Sequence, residues 1–445
     1  MEELLEEALV PEEEQPYEVP GNWVWVKLKT INKDKKRNID PKNFKDETFE
    51  LYSVPSFPEG SPEFIKGDEI GSSKQLVNKD EILLCKINPR INRVWKVLNN
   101  HGKFRQLAST EWIVISENKA IYSEYLLYLL KSPYFRKLIT SNVSGVGGSL
   151  TRARPKEVET YPIAVPPIKE QKRIADKVER LLSKIDEAKR LIEEAKETFE
   201  LRRAAILDKA FRGEMMEKSH ISRESNANLY EIPINWKWKT FGDVAQVCSN
   251  LVDPKQYLEL PHIAPDNIEK GTGQLLEYQT IEESKVKSPK HYFKKGQILY
   301  SKIRPYLSKV IIAEFEGLCS ADMYPIETDL DAKYLFWYML SPFFVEKAST
   351  AGSRSVLPKI NKKELGNIPI PVPPKETQKK IVRIIESALS REKQTIGYLE
   401  SIVGLMEKIK QSILSKAFRG ELGTNDPTEE SAIELLKEVL QEQVK

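Results

Sequence analysis

Cysteine is nearly missing from this chain. Cys85, Cys248 and Cys319 are the only three, far apart and odd in number. That argues against a disulfide framework or a cysteine-based zinc site and for a reducing compartment. Histidine is almost as scarce, and His101, His220, His262 and His291 have no metal-ligand spacing with one another or with cysteine. No apolar run reaches the length of a membrane span, and the acidic start MEELLEEALVPEEE has the wrong charge for a signal peptide. A cytoplasmic protein with no membrane partner is expected. Phosphate-binding loops are missing as well: there is no Gly-x-Gly-x-x-Gly after a strand and no Gly-Lys-Ser/Thr loop. Gly145-Val-Gly-Gly-Ser149 is glycine-rich but runs into Leu-Thr-Arg-Ala-Arg-Pro, so it reads as a surface loop. Asn88-Pro89 lacks the second proline and the aromatic of an amino-methyltransferase loop. Asp266 with Glu269 and Lys270 is a combination expected by chance in a chain that is 30% charged. No motif supports catalysis, and no metal site is expected.

Excess charge of one sign is missing too. Lys+Arg 69 against Asp+Glu 66 leaves only +3, so any basic face must arise by local segregation. The length of 445 residues allows two or three domains with their own cores.

What the chain does have is one long stretch used twice. PIAVPPIKEQKRIADKVERLL and so on runs from Pro162 to Glu214, and PIPVPPKETQKKIVRIIESAL and so on runs from Pro369 to Glu421. Both close on Lys-Ala-Phe-Arg-Gly-Glu. Pro162 and Pro369, Gln171 and Gln378, and Gly213 and Gly420 are each 207 residues apart. An ungapped match of this length is an internal repeat. In the first copy Ile174, Val178, Leu181, Ile185, Ala188, Ile192, Ala195 and Phe199 step by four and three, the seam of a coiled coil. The second copy keeps the rows with Ile385, Ala388, Leu399, Ile402, Met406, Ile409 and Ile413, and breaks them at Glu392 and Thr395. Such a polar break fixes register or leaves a docking gap. Proline is accepted only before or in the first helical turn, so Pro166-Pro167 and Pro373-Pro374 mark the starts. Gly213 and Gly420 stand where a left-handed C-cap belongs. Each helix is then roughly 45 residues, about 65 Å long.

A second phrase also repeats. Tyr17-Glu-Val-Pro-Gly-Asn-Trp23-Val-Trp25 returns as Tyr230-Glu-Ile-Pro-Ile-Asn-Trp236-Lys-Trp238, and Lys86-Ile87-Asn88-Pro89 as Lys302-Ile303-Arg304-Pro305. A globular unit therefore precedes each helix, and the drifting offsets mean the two units have diverged. Short β-type runs appear at 82–85, 112–115, 297–300 and 310–313, with helical runs at 123–130 and 332–340. The expected organisation is an N-terminal helix (1–15), a first mixed α+β domain (16–167), helix 168–213, a linker (214–229), a second mixed domain (230–374), helix 375–420 and a tail helix (421–445). Asp426 is the expected N-cap of that tail helix, with Pro427 at N1 and Glu429 at N3. Glu434-Leu-Leu-Lys-Glu-Val-Leu440 echoes Glu3-Leu-Leu-Glu-Glu-Ala-Leu9, which predicts that the two terminal segments lie close together.

Basic residues gather with polar and aromatic ones in the expected loops of each domain. The first offers Lys33, Lys35, Lys36, Arg37, Lys86, Arg90, Arg93, Arg152 and Arg154. The second offers Lys285, Lys287, Lys290, Lys294, Lys295, Lys302, Arg304, Tyr306, Arg354 and Lys359. Such residues neutralise phosphates, and a few read base edges. Arg152 with Lys359, and Lys86 with Lys302, are basic at matched places in both domains.

Two divergent globular units, each followed by a helix that opens on Pro-Pro-x-x-x-Gln and closes on Ala-Phe-x-Gly, resemble the specificity (S, or HsdS) subunit of type I restriction–modification enzymes. The resemblance covers nearly the whole chain and is carried by PIAVPPIKEQKRI with PIPVPPKETQKKI, and by DKAFRGE with SKAFRGEL. One departure is Glu-Thr-Gln378, where the family phrase has Glu-Gln. The resemblance implies two target recognition domains binding the unlike halves of a bipartite site on double-stranded DNA. It implies two helices packed as an antiparallel intramolecular coiled coil with pseudo-two-fold symmetry, and a non-catalytic chain that joins two methyltransferase subunits and recruits restriction subunits. S-adenosylmethionine, ATP and magnesium are then expected only on the partners, with no cofactor on this chain. Competing readings are a solitary or anti-restriction S-like protein, a coiled-coil scaffold with no nucleic-acid role, and an enzyme of unknown mechanism.

Overall fold

The computed structural model describes residues 2–32, 37–116, 118–141, 143–144, 151–216, 229–351 and 358–444. The core of the expected linker, 217–228, lies outside the described residues, as do the glycine-rich stretch 145–149 and Lys33, Lys35, Lys36 and Arg354. The helical framework runs α1 (Glu2–Ala8), α2 (Ser123–Lys131), α3 (Ile168–Phe211), α4 (Ala332–Met339), α5 (Lys375–Ala417) and α6 (Ala432–Val444). The chain divides into two compact units, the first being 1–190 with 401–445 and the second 191–400. The division falls within α3 and α5, so each unit holds part of both helices.

The first unit carries a five-stranded sheet in the order Asn38–Ile39, Lys74–Val77, Arg105–Ala108, Thr48–Tyr52, Glu63–Lys66. Only the pair of Thr48–Tyr52 with Arg105–Ala108 is parallel. A three-stranded sheet of Val94–Lys96, Ile82–Cys85 and Trp112–Ile115 packs beside it. The second unit repeats this plan with Leu251–Val252, Lys290–Phe293, Gly317–Cys319, Pro261–Ile263 and Gln279–Thr280, again with one parallel pair in the same place. Its smaller sheet gains a strand, Ala245–Val247, on one edge of Met323–Thr328. The architecture is mixed α+β in both units.

The repeated phrases explain how each helix is mounted. Val24–Lys27 pairs antiparallel with Pro162–Val165, and Lys237–Thr240 with Pro369–Val372. These ribbons of two strands tolerate the prolines that a central strand would reject. The glutamine of Pro-Pro-x-x-x-Gln then pins the helix start. Gln171 Nε2 donates to the carbonyls of Ala120 and Pro166, and its Oε1 accepts from Tyr122 N at 2.8 Å. Gln378 repeats two of these bonds, donating to the Pro373 carbonyl and accepting from Asp331 N. Tyr125 and Tyr334 hydroxyls donate to the Ala164 and Pro371 carbonyls, holding α2 and α4 to the same ribbons.

The helix ends are mounted with equal regularity. Gly213 and Gly420 have φ of +77° and +75°, and Glu214 N and Glu421 N donate back to the carbonyls of Lys209 and Lys416. A Cβ on Gly213 would lie 2.4 Å from the Pro233 ring, and one on Gly420 2.4 Å from the Pro20 ring. Only glycine fits there. Arg212 stacks over Tyr230 and Arg419 over Tyr17. The end of α5 is thus seated on the Tyr17–Trp25 phrase as the end of α3 is on Tyr230–Trp238, joining the chain's tail to its head within the first unit. α1 packs on α6 there, and Ala8, Ala432, Leu436 and Leu440 share one core.

The tail departs from expectation in one respect. α6 starts at Ala432, with the Ser431 hydroxyl accepting from Ile433 N, so Asp426 is not its N-cap. Asp426 instead closes a preceding turn by accepting from Thr428 N at 3.0 Å. The apolar stripes depart too. Ile174, Val178 and Ile385 are fully buried and Ile192 nearly so, while Leu181, Ile185, Phe199, Leu399, Met406 and Ile413 are half-buried. Ile402 and Ile409 are each 43% exposed, and Leu182 rather than Leu181 is buried. Early in α3 the first α+β domain itself covers the helix, which favours the face of Ile174, Val178 and Leu182. Glu392 is half-buried against Arg202 and Arg203, and burial pushes its carboxyl above the usual range against their pull. The polar break is therefore matched by cations inside its own unit, while Thr395 is exposed and bonds back to the Arg391 carbonyl.

Candidate nucleic-acid interface

Each unit builds the same turn from the Lys-Ile-x-Pro phrase. In the first, Pro89–Ile91 forms one 3₁₀ turn between Asn88 and Asn92, at φ +48° and +53°. In the second, Pro305–Leu307 lies between Arg304 and Ser308, at φ +47° and +46°. Two non-glycine residues in the left-handed region, matched in both copies, are strained backbone that the fold must enforce. Proline at the first helical position helps, since its fixed φ suits the turn and it needs no N–H there. The turns present Arg90 and Ile91 in one unit and Arg304 and Tyr306 in the other, all exposed.

The structure brings the two position-matched basic pairs together. Ile87 bridges Arg152 and Ile303 bridges Lys359, antiparallel in both cases. Asn88 N donates to the Thr151 carbonyl and Arg304 N to the Pro358 carbonyl, both at 2.8 Å. Lys86, Arg90, Arg93 and Arg152 thus converge at one edge, as do Lys302, Arg304, Tyr306 and Lys359 at the other. Arg154 follows on the same segment and pairs with Glu157 at 3.0 Å.

These edges are less basic than their lysines and arginines suggest. Arg152 pairs with Glu111 at 3.2 Å and Lys359 with Asp322 at 3.3 Å. The acids are matched as well, for Glu111 and Asp322 carbonyls accept from Lys86 N and Lys302 N. Lys302 Nζ donates to the Ala321 carbonyl and lies 5.5 Å from the Tyr324 ring. Such pairs, being exposed, can exchange a carboxylate for a phosphate at small cost. Arg37 pairs with Glu81 at 2.8 Å and lines one cavity with Lys86, while Lys285, Lys287, Lys294 and Lys295 stand on other exposed turns.

The first unit's edge holds unmet acceptors. Asn88 Oδ1, Asn92 Oδ1 and Glu111 Oε2 are buried without a hydrogen-bond partner. Sequence reasoning missed Asn92, Ser308, Glu111 and Asp322. The 216-residue offset that matches Lys86 to Lys302 also matches Asn92 to Ser308 and was the available signal. The second unit's edge lies near His291, whose ring is made harder to protonate by burial and by the Lys302 and Lys362 charges.

A family profile described as the type I restriction modification DNA specificity domain matches residues 20–197 and 233–399. The chain is 39% identical over 336 residues to the type I restriction enzyme EcoDI specificity subunit of Escherichia coli, covering 72% of this chain and 74% of that one. It is 22% identical to the EcoKI specificity subunit of Escherichia coli strain K12, covering 78% and 76%. Among solved structures, a chain from work on complex assembly and conformational transition of the type I R-M system superposes with a TM-score of 0.72 at 22% identity, covering 92% of this chain and all of that one. The HsdS subunit from Thermoanaerobacter tengcongensis gives 0.57 at 22% identity, with the same coverage. At that identity these two superpositions bear on the fold.

Proposed function

This chain belongs to the type I restriction–modification DNA specificity family as a specificity subunit, and on that premise we propose that it reads a bipartite, asymmetric target on double-stranded DNA. One recognition domain takes each half-site. The observation that carries this reading is the strained Lys-Ile-x-Pro turn with its bridged basic segment, built twice on the same plan with different exposed side chains. A common frame suits a common task, docking on a duplex. The different residues at its tip, Arg90 and Ile91 against Arg304 and Tyr306, suit unlike base sequences.

In this reading the chain is not itself an enzyme. It joins two methyltransferase subunits and restriction subunits in the cytoplasm, and those partners carry S-adenosylmethionine, ATP and magnesium. Among the described residues no helix is long and apolar enough to cross a membrane. α3 and α5 pack as an antiparallel intramolecular coiled coil with pseudo-two-fold symmetry and set the unread gap between half-sites. Antiparallel ion pairs in the first unit support this, Lys189 with Glu407 at 3.2 Å and Lys410 with Asp186 at 3.7 Å. The apolar stripe Ile402, Leu405 and Ile409, left open on α5, supports a docking role for the helices.

Inserting about four residues, close to one helical turn, after Glu187 tests the ruler. The methylated motif should gain a longer gap or be lost, and an unchanged motif overturns the ruler. A scaffold without a nucleic-acid role predicts instead that the purified chain shows no salt-dependent DNA binding.

A further inference from the structure

Two buried lysines, with no counter-ion among the described residues, occupy the same place in the two units. Lys74 and Lys290 each open the second strand of the five-stranded sheet, 216 residues apart, and are 9% and 6% exposed. Each ammonium is folded back onto the serine two residues earlier. Lys74 Nζ donates to the Ser72 carbonyl at 2.9 Å and hydroxyl at 2.7 Å. Lys290 Nζ donates to the Ser288 carbonyl at 2.9 Å and hydroxyl at 2.6 Å. Among the described residues no carboxylate reaches either, and burial alone draws both ammonium groups toward the neutral form. A buried cation with only neutral partners is costly, and folded chains ordinarily pair it. Here it occurs twice, in domains whose surfaces otherwise differ, and among the described residues each ammonium gives two of its three protons to the serine.

The residue after each lysine, turned to the other face of its strand, adjoins the candidate interface. The next residue in the first unit, Gln75, lines a cavity of about 90 Å³ together with Lys86. The next residue in the second, His291, feels the charge of Lys302. Strand alternation turns Lys290 to the sheet face of Tyr292 and His262, and the buried His262 Nε2 lacks a partner. That face therefore holds an unpaired cation and a second polar atom without a bond.

We propose that Ser72-Ser-Lys74 and Ser288-Pro-Lys290 are twin phosphate anchors, each giving its third ammonium proton to one backbone phosphate of the half-site its domain reads. The inference rests on the DNA-reading function proposed above. The serine holds the ammonium at a fixed point, so the contact sets the register of the domain on the duplex and carries no sequence information.

The test measures binding of the full-length chain to a fluorescein-labelled mixed-sequence duplex of about 40 base pairs between about 50 and 200 mM KCl. Each phosphate contact contributes about 0.9 to the slope of log K against log salt. Lys74→Met and Lys290→Met should each lower the slope by about one, and the double variant by about two. Lys74→Arg and Lys290→Arg should keep the wild-type slope. Should a methionine variant fail to fold, Lys→Gln keeps a donor for the serine carbonyl and removes the charge. Folded, charge-free variants with the wild-type slope would overturn the anchors alone. A wild-type chain without salt-dependent binding would overturn the DNA-reading function itself, and the anchors with it.

Discussion

At the start of α3, in the first unit, Glu170 is fully buried and accepts from the Trp23 indole at 2.8 Å and from Asn425 at 2.9 Å. At the matching position of α5, in the second unit, stands Thr377, half-buried and with no such network among the described residues. Beside Glu170, Arg173 grips Glu429 through two bonds of 2.9 and 2.8 Å and takes the Thr424 carbonyl. The difference follows from chain connectivity. In the second unit the seat for the helix end lies further along the same chain, 17 residues past Gly213 at Tyr230. In the first the seat is the chain's own N-terminal phrase, and the tail must be brought back to it. Glu170, Arg173, Asn425 and Glu429 are the latch that does so. The Glu-Thr-Gln378 departure from the repeat thus has a physical cause, since no tail needs holding there.

That comparison can be pressed in four ways. Exchanging 20–161 for another recognition domain should change one whole half of the methylated motif and leave the other half as it was. A change in both halves would show that the units do not read independently. Gly213→Ala and Gly420→Ala should each destabilise by about 3 kcal/mol, from a left-handed backbone and overlap with a proline ring. Hydrogen exchange resolved by region should show the loss confined to the second unit for Gly213 and to the first for Gly420. Glu170→Ala should cost about 3 kcal/mol by leaving Trp23 and Asn425 unpaired in the core, against under ~0.5 kcal/mol for Thr377→Ala, as chemical denaturation can measure.

Glu429 and Glu392 should respond to acid in opposite directions, each by ~0.5 kcal/mol or less given partial exposure. The hydrogen bond from Arg173 holds the Glu429 carboxyl below its ordinary 4.5. Its contribution is present above that value and lost as the pH falls through the lower folded one. Glu392 is held above 4.5 by burial, so the folded second unit retains that proton longer than the unfolded chain does. Its stability therefore rises as the pH falls toward 4.5. Hydrogen exchange over this range should show the second unit gaining just above 4.5 and the first losing just below it. Glu392→Gln should abolish the first effect, and Glu429→Gln should reduce the second, with Glu47 on Arg105 supplying the rest.

The long helices, their proline starts and their glycine ends could be read from residue order because the repeat is ungapped and each signal is local. The terminal helices could be paired because their phrases match. The five-stranded sheets could not be read, since strands such as Asn38–Ile39 and Gln279–Thr280 are too short for any period to show. The start of α6 was misplaced because Asp426 satisfies its own turn, a choice that Asp-Pro-Thr leaves open. In the candidate interface, Lys86, Lys302, Arg152 and Lys359 were found by matching offsets. Their neutralising partners were not, because Glu111 lies 41 residues from Arg152 and only folding brings the two together. Lys74 was overlooked for a related reason: a lysine in a polar stretch reads as solvated, and its burial is a tertiary fact.

Two unlike domains on one duplicated frame should read two unlike half-sites. Methylation-sensitive sequencing of the host genome, with this gene present and deleted, tests it most directly. One methylated motif with two different half-sites around an unread gap should be present only with the gene. An unchanged methylation pattern on deletion, or a gene-dependent motif that is contiguous or palindromic, would contradict it.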